Sequence, residues 1–164
     1  MESKAAKEEL SGIIYGEYSS PIGTLLIGAT ATHLCKLQFA SELDYRNRSA
    51  EKNEIIKRAS IELNEYFKGT RRTFTVPCKP HGTDFQMSVW KSLLDIPYGE
   101  TLSYSGQAIS INNPKAVRAV GRANGQNPIC IIYPCHRVVG KSGSMTGYAG
   151  GIEAKEFLLR LEAS

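Results

Sequence analysis

The stretch Ile131-Ile132-Tyr133-Pro134-Cys135-His136-Arg137-Val138-Val139-Gly140 restricts the fold of this chain more than any other. β-Branched and aromatic residues on both sides of Pro134 predict two buried, extended arms. Proline has no amide hydrogen to give to a sheet ladder, so pairing must break and the segment must bend there. The bend falls where a thiol, an imidazole and a guanidinium follow one another. Positive charge beside a cysteine favours the thiolate, which is the nucleophile, so Cys135 reads as an activated thiol with His136 and Arg137 beside it. On these residues alone the ordinary alternative is a small buried cysteine, since free cysteine is among the most buried residue types.

The rest of the chain divides in two. Residues 1–10 read as a frayed polar start. Ile13 to Tyr18, Thr24 to Ala29 and Leu34 to Phe39 predict three short strands, with turns at Ser20-Pro21-Ile22-Gly23 and Thr30 to His33. A charged loop follows from Ser41 to Ser49. The stripe Ile55, Ile56, Ala59, Leu63, Tyr66 and Phe67 predicts a helix over 51–68 that Gly69 stops. Thr73 to Val76 offers a further strand, and Pro77 to Gly82 reads as a linker. The expected division is an N-terminal α/β domain over 1–78 and a second domain over 79–164.

In the second half Thr83-Asp84-Phe85-Gln86 fits a capping box. Phe85, Val89, Trp90, Leu93 and Leu94 form the expected buried face of the helix that follows. Ser103 should cap a short helix to about Ser110. Asn113 with Pro114 should start the next, running to about Asn124-Gly125. Two short helices so joined are a helix-turn-helix candidate. A last helix over 152–162 would turn Phe157, Leu158 and Leu161 inward.

Charge narrows the partner. The net charge of the 164 residues is only +4, but between Glu100 and Glu153 there is no carboxylate, while Lys115, Arg118, Arg122, Arg137 and Lys141 fall inside that stretch. A basic surface unrelieved by acids suits a polyanion such as nucleic acid, although a solvated basic face has the same composition. Lys115, Arg118 and Arg122 stand at helical spacing, and Ala116, Ala119, Gly121 and Ala123 between them are small enough for close backbone approach. No run reaches the length of a membrane span, and the first residues are too polar for a signal peptide. A cytoplasmic protein that avoids membranes is expected. Its four cysteines, Cys35, Cys78, Cys130 and Cys135, would then be free thiols.

Pro134-Cys135-His136-Arg137-Val138, together with Gly147-Tyr148-Ala149-Gly150-Gly151 and Asn113-Pro114-Lys115-Ala116-Val117-Arg118-Ala119-Val120-Gly121, resembles the O6-alkylguanine-DNA alkyltransferases. The resemblance implies an α+β fold: a ribonuclease-H-like N-terminal domain with a small antiparallel sheet and a helix, then a mostly helical, winged-helix-like domain with a helix-turn-helix. It implies that Cys135 takes the alkyl group from damaged guanine and keeps it, so that each molecule acts once. His136 and Glu162 would complete a relay of cysteine, water, histidine and glutamate. Asn127 would brace the turn around the cysteine, and Tyr104 would donate to the purine.

Arg118 would fill the gap left by a base rotated out of the duplex. Lys115, Ala119, Gly121, Arg122 and Arg137 would meet DNA from the minor groove. Val138, Tyr148, Ala149, Asn124 and Lys155 would form the base pocket, the first and third through backbone groups. The implied partner is double-stranded DNA carrying O6-alkylguanine, with O4-alkylthymine as a further lesion, bound by a monomer without cofactor. Some members of the family hold zinc in the N-terminal domain. Here His33, Cys35, Cys78 and His81 supply ligand types but no recognised zinc spacing, and no metal is expected.

Two rivals belong to other classes. A non-reactive sensor of alkylated DNA would lack the cysteine, so Cys135 speaks against it. A cysteine hydrolase with a Cys-His-Glu relay would turn over and would have no use for the carboxylate-free basic stretch.

Overall fold

The computed structural model describes residues 4–41 and 52–164, which form two compact units, Met1–Thr83 and Asp84–Ser164. The first begins with helix α1 (Lys4–Ser11) where a frayed start was expected. Strands β1 (Ile14–Ser20), β2 (Gly23–Ala29) and β3 (Leu34–Phe39) then make an antiparallel sheet in the order β1-β2-β3. The hairpin closes at the pair Ser20 and Gly23 around Pro21-Ile22, and Gly23 takes a φ of 118° that a side chain would resist. β2 is the central strand, and Leu25, Leu26, Ile27 and Ala29 are all buried along it. The charged loop expected from Ser41 lies, apart from Ser41 itself, outside the described residues.

Helix α2 (Glu54–Phe67) covers the sheet with Ile55, Ile56, Ala59, Leu63 and Tyr66, the stripe its spacing predicted. Asn53 caps it: its Oδ1 accepts from Ile56 N at 2.9 Å, and its Nδ2 donates to Thr30 O at 2.9 Å, pinning the helix start to the turn after β2. The strand expected over Thr73 to Val76 is absent. The amides of Thr75 and Val76 donate instead to the buried Glu62 carboxylate, at 3.0 and 3.2 Å. A side-chain acceptor has taken the place of a neighbouring strand.

The four side chains considered for zinc do not form a donor cluster. Among the described residues no three His, Cys, Asp or Glu side chains are grouped as metal ligands. The Cys35 and Cys78 thiols point to carbonyls, of His33 at 3.7 Å and Val76 at 3.4 Å. Burial, with Glu62 adding to it, pushes Cys78 up to about 12. Cysteine binds zinc as the thiolate, which this environment disfavours at Cys78. Metal analysis of the purified protein is therefore expected to find no stoichiometric zinc. An ion retained through gel filtration and released on unfolding would contradict this.

The second unit packs α3 (Asp84–Leu93), α4 (Tyr104–Ser110), α5 (Val117–Gly125) and α6 (Ile152–Ala163) around a short parallel pair, β4 (Leu102–Ser103) with β5 (Val138–Val139). α3 buries Val89, Trp90 and Leu93, and Trp90 Nε1 donates to Ala123 O at 2.8 Å, joining α3 to α5. Leu94, expected inside, is 54% exposed because α3 stops one residue earlier, and Ile96 turns inward in its place. Gln86 donates to Gln126 Oε1 at 2.9 Å. Ser103 caps α4 as expected, its Oγ accepting from Gly106 N at 2.9 Å.

α5 starts later than its proline suggested. Asn112 enters the left-handed region (φ 59°), and Ala116 N bonds back to Asn113 O, so Asn113-Pro114-Lys115 form a turn and the helix begins at Val117. Lys115 is thus off the helical face shared by Arg118 and Arg122. No helix of the described residues is long and apolar enough to cross a membrane.

Candidate active site

The segment around Cys135 is more tightly folded than two extended arms. Ile131 has a φ of 70°, and Ile132 N bonds to Cys130 O at 2.8 Å, a γ-turn of the rare positive-φ kind. A β-branched residue pays heavily for this conformation. Pro134 (φ −82°, ψ 68°) forms a second γ-turn of the common hand, with Cys135 N bonding to Tyr133 O at 2.8 Å. Cys135–Arg137 is then a single 3-10 turn, and only Val138-Val139 is strand. Asn127 brackets the whole: its Nδ2 donates to Tyr133 O at 2.7 Å, and its Oδ1 accepts from Ile129 N at 3.0 Å. One buried amide satisfies backbone groups on both sides of the strained turn.

Behind the turn sits a buried charge cluster. Glu162, on α6, receives His136 Nε2 at 2.8 Å, Arg137 Nε at 2.8 Å and Arg137 Nη2 at 2.9 Å, and Arg137 Nη1 donates to Ile96 O at 2.6 Å. Arg137 was expected on the DNA surface. It is instead buried, because a guanidinium fork matches a carboxylate and the chain supplies one. Burial pushes Glu162 up, but the hydrogen bonds from His136 and Arg137 prevail and hold it at about 2. A carboxylate only accepts, so His136 Nε2 must carry the hydrogen. His136 is itself pushed down by burial, against the opposing pull of Glu162. The result is a neutral imidazole whose lone pair is on Nδ1, a buried nitrogen without a hydrogen-bond partner.

The expected source of thiolate stabilisation is therefore wrong in detail. The guanidinium of Arg137 is spent on Glu162, and His136 is neutral. Burial pushes the Cys135 thiol up; a hydrogen bond from Asn127, the charge of Lys155 and the backbone amides of Cys135 and His136 pull against it. Lys155, from α6, is 1% exposed, its Nζ donating to Val138 O at 2.6 Å and Thr146 O at 3.4 Å and lying 5.9 Å from the Tyr104 ring centre. It is the cation that the thiol senses. Lysine was expected in the pocket wall; it stands behind it.

Tyr104, Gly121, Asn124, Gly125, Asn127, Cys130, Cys135, Gly147, Tyr148 and Ala149 line a cavity of about 40 Å³. Of the expected pocket residues, Tyr148, Ala149 and Asn124 are on this wall; Val138 and Lys155 are not. Asn124 is locked by a reciprocal amide pair with Gln107, at 2.7 and 3.2 Å, which ties α5 to α4. Thr146 Oγ1 donates to Tyr104 Oη at 2.9 Å, so the phenol keeps its own hydrogen to give. Gly121 and Gly125 present α5 to the cavity, while Arg118, Ala119 and Arg122 are exposed on the same helix. Thr146 and Gln107 were not expected at the site, and Cys130 and Gly147, though noted in the sequence, were given no place in it. A helix-spaced pattern does not reveal a thiol five residues from another, or a glutamine whose partner is on the next helix.

Two family models match the chain: the ribonuclease-like domain of 6-O-methylguanine DNA methyltransferase over residues 13–80, and its DNA binding domain over residues 84–164. The methylated-DNA–protein-cysteine methyltransferase of Methanosarcina acetivorans is 46% identical over 153 residues, covering 92% of this chain and 98% of the relative. That of Mycobacterium tuberculosis is 48% identical over 155 residues, 93% of each. Among solved structures, the Mycobacterium tuberculosis O6-methylguanine methyltransferase matches with a TM-score of 0.83 at 45% identity, covering 92% of this chain and 93% of that one. Mycobacterium tuberculosis OGT in complex with DNA matches with a TM-score of 0.84 at 46% identity, covering 91% and 92%.

Proposed function

This chain belongs to the 6-O-methylguanine DNA methyltransferase family, and from that premise we propose that it repairs O6-alkylguanine in duplex DNA by moving the alkyl group irreversibly onto Cys135. The observation that carries the reading is the placement of the Cys135 thiol with Tyr104 in one cavity, walled by α5, the helix whose exposed residues include Arg118 and Arg122. Sulfur attacks the alkyl carbon, the carbon–oxygen bond breaks, and its electron pair stays on the purine. Two needs follow: a base for the thiol proton and an acid for the purine.

Neutral His136 fills the first. Glu162 fixes the hydrogen on Nε2, so Nδ1 takes the thiol proton through a water. Because burial disfavours a resting thiolate, this base matters; Lys155 and Asn127 then stabilise the anion as it forms. Tyr104 fills the second, its Oη hydrogen free because Thr146 supplies the other hydrogen bond. The backbone of Ala149, on the cavity wall, would hold the base edge. The product is a thioether, which is neither basic nor a leaving group, so the protein acts once.

Reaching the thiol requires the damaged base to leave the stack, at a cost of a few kcal/mol. The small residues of α5 suit close approach to a narrow groove, and Arg118 would fill the gap in the stack, with Ala119, Gly121, Arg122 and Lys115 beside it. The protein is read as a monomer on DNA, with O4-alkylthymine as a further lesion. Arg118→Ala should slow transfer from duplex DNA by about tenfold or more while leaving reaction with free O6-alkylguanine base nearly unchanged, as expected for a loss confined to flipping. Arg118→Lys should restore only part, since an ammonium lacks the planar fork. Equal slowing on both substrates would place Arg118 in the active-site scaffold, and no slowing on either would remove it from the mechanism.

A further inference from the structure

The cavity that holds Cys135 contains a second thiol, which the alkyl-transfer reading does not use. Cys130 lines the same space, is 5% exposed, and belongs to the loop that Ile131 and Pro134 fold back on itself. Tyr133 N bonds to Ile129 O at 3.1 Å and Ile132 N to Cys130 O at 2.8 Å, so the four positions between the two cysteines form a closed loop instead of a strand. Both cysteines belong to the wall of this one cavity, five residues apart on a folded-back loop. The two sulfurs are also electrostatically coupled: burial pushes Cys130 well up, and charge on Cys135 adds to it.

We infer that Cys130 and Cys135 are a dithiol modification site, closed to a disulfide by a small peroxide and reopened by a low-molecular-weight thiol. Hydrogen peroxide is small and uncharged and can enter the cavity that both cysteines line. In the first step the Cys135 thiolate attacks hydrogen peroxide: a sulfur–oxygen bond forms, the oxygen–oxygen bond breaks, and hydroxide leaves. In the second, Cys130 sulfur attacks Cys135 sulfur, the sulfur–sulfur bond forms, and the sulfenic oxygen departs as water with the Cys130 proton. The two thiols lose two electrons, and one peroxide becomes two waters. Without Cys130 the sulfenic acid has no resolving thiol and proceeds to the irreversible sulfinic acid. That the disulfide silences repair rests on Cys135 being the alkyl acceptor; the bond itself does not.

Trypsin leaves both cysteines in one peptide, 123–137, because no lysine or arginine lies between Arg122 and Arg137. After brief treatment with hydrogen peroxide, that peptide is expected to be two hydrogens lighter and closed to iodoacetamide, and to take two labels once dithiothreitol is added. Alkyl transfer from methylated DNA should be lost and regained in parallel. In Cys130→Ser, peroxide should instead leave two extra oxygens on Cys135, and dithiothreitol should restore nothing. Sulfinic acid on Cys135 of the unmodified chain, or two free thiols after oxidation, would overturn the inference. Mapped disulfide in a protein that never transfers alkyl groups would overturn the proposed function alone.

Discussion

Protein mixed with excess duplex DNA carrying O6-methylguanine is expected to gain the mass of a single CH2 group, on Cys135, and then to stop. The physical reason is the product. A thioether sulfur has no proton for His136 to take and no tendency to leave, and the other thiol of the cavity wall, Cys130, is held protonated by burial. Intact mass and peptide mapping measure the stoichiometry directly. Repair of several lesions by one molecule would sink the single-use mechanism and favour a hydrolytic one. Cys135→Ser should still bind DNA, because the basic surface is untouched, and should transfer nothing: a serine hydroxyl buried beside a neutral histidine is far harder to deprotonate than a thiol.

Loss of the Glu162 carboxylate should have the next largest effect, on stability and rate together. Glu162→Ala leaves the Arg137 guanidinium buried without its counter-charge and His136 without an acceptor, and breaking a buried pair in this way costs about 3–5 kcal/mol. Glu162→Gln keeps an oxygen for His136 Nε2 but not the charge, so it should retain more alkyl-transfer activity than the alanine variant while remaining destabilised. Chemical denaturation and single-turnover transfer rates separate the two effects.

The pH dependence follows from the same cluster. The folded carboxyl is held at about 2, below its ordinary value near 4.5. The unfolded chain therefore binds the proton first. The contribution is fully present above about pH 4.5 and disappears as pH falls through about 2, a swing on the order of 3 kcal/mol. His136 acts in the same direction at higher pH, since burial lowers its affinity for a proton and stability must fall as pH drops below about 6.5. Denaturation midpoints between pH 2 and 7 should show a flatter acid limb in Glu162→Gln than in the unmodified chain. Identical acid limbs would mean that Glu162 titrates normally and that the cluster is not the one described.

What the amino-acid order determined on its own was whatever repeats locally. Alternation and turn residues set β1 to β3, the stripe of apolar residues set α2, Ser103 set the start of α4, and the succession Pro134-Cys135-His136-Arg137 marked the reactive bend. These features depend on neighbours within a turn or two of chain, so their periods appear in the sequence. The tertiary structure decided where charge and strain went. Arg137 could be read as a DNA contact until Glu162, 25 residues away, was seen to receive it, and Lys155 became the cation near the thiol only once α6 had folded over the cysteine turn. Likewise Ile131 reads as strand by propensity, and it adopts a φ of 70° because Asn127 supplies the hydrogen bonds that hold the turn shut. Local propensity amounts to about 1 kcal/mol or less per residue, whereas an unpaired buried charge or an unsatisfied buried amide costs several times that. The long-range partners therefore outvote the local pattern at the site, while the local pattern prevails in the scaffold.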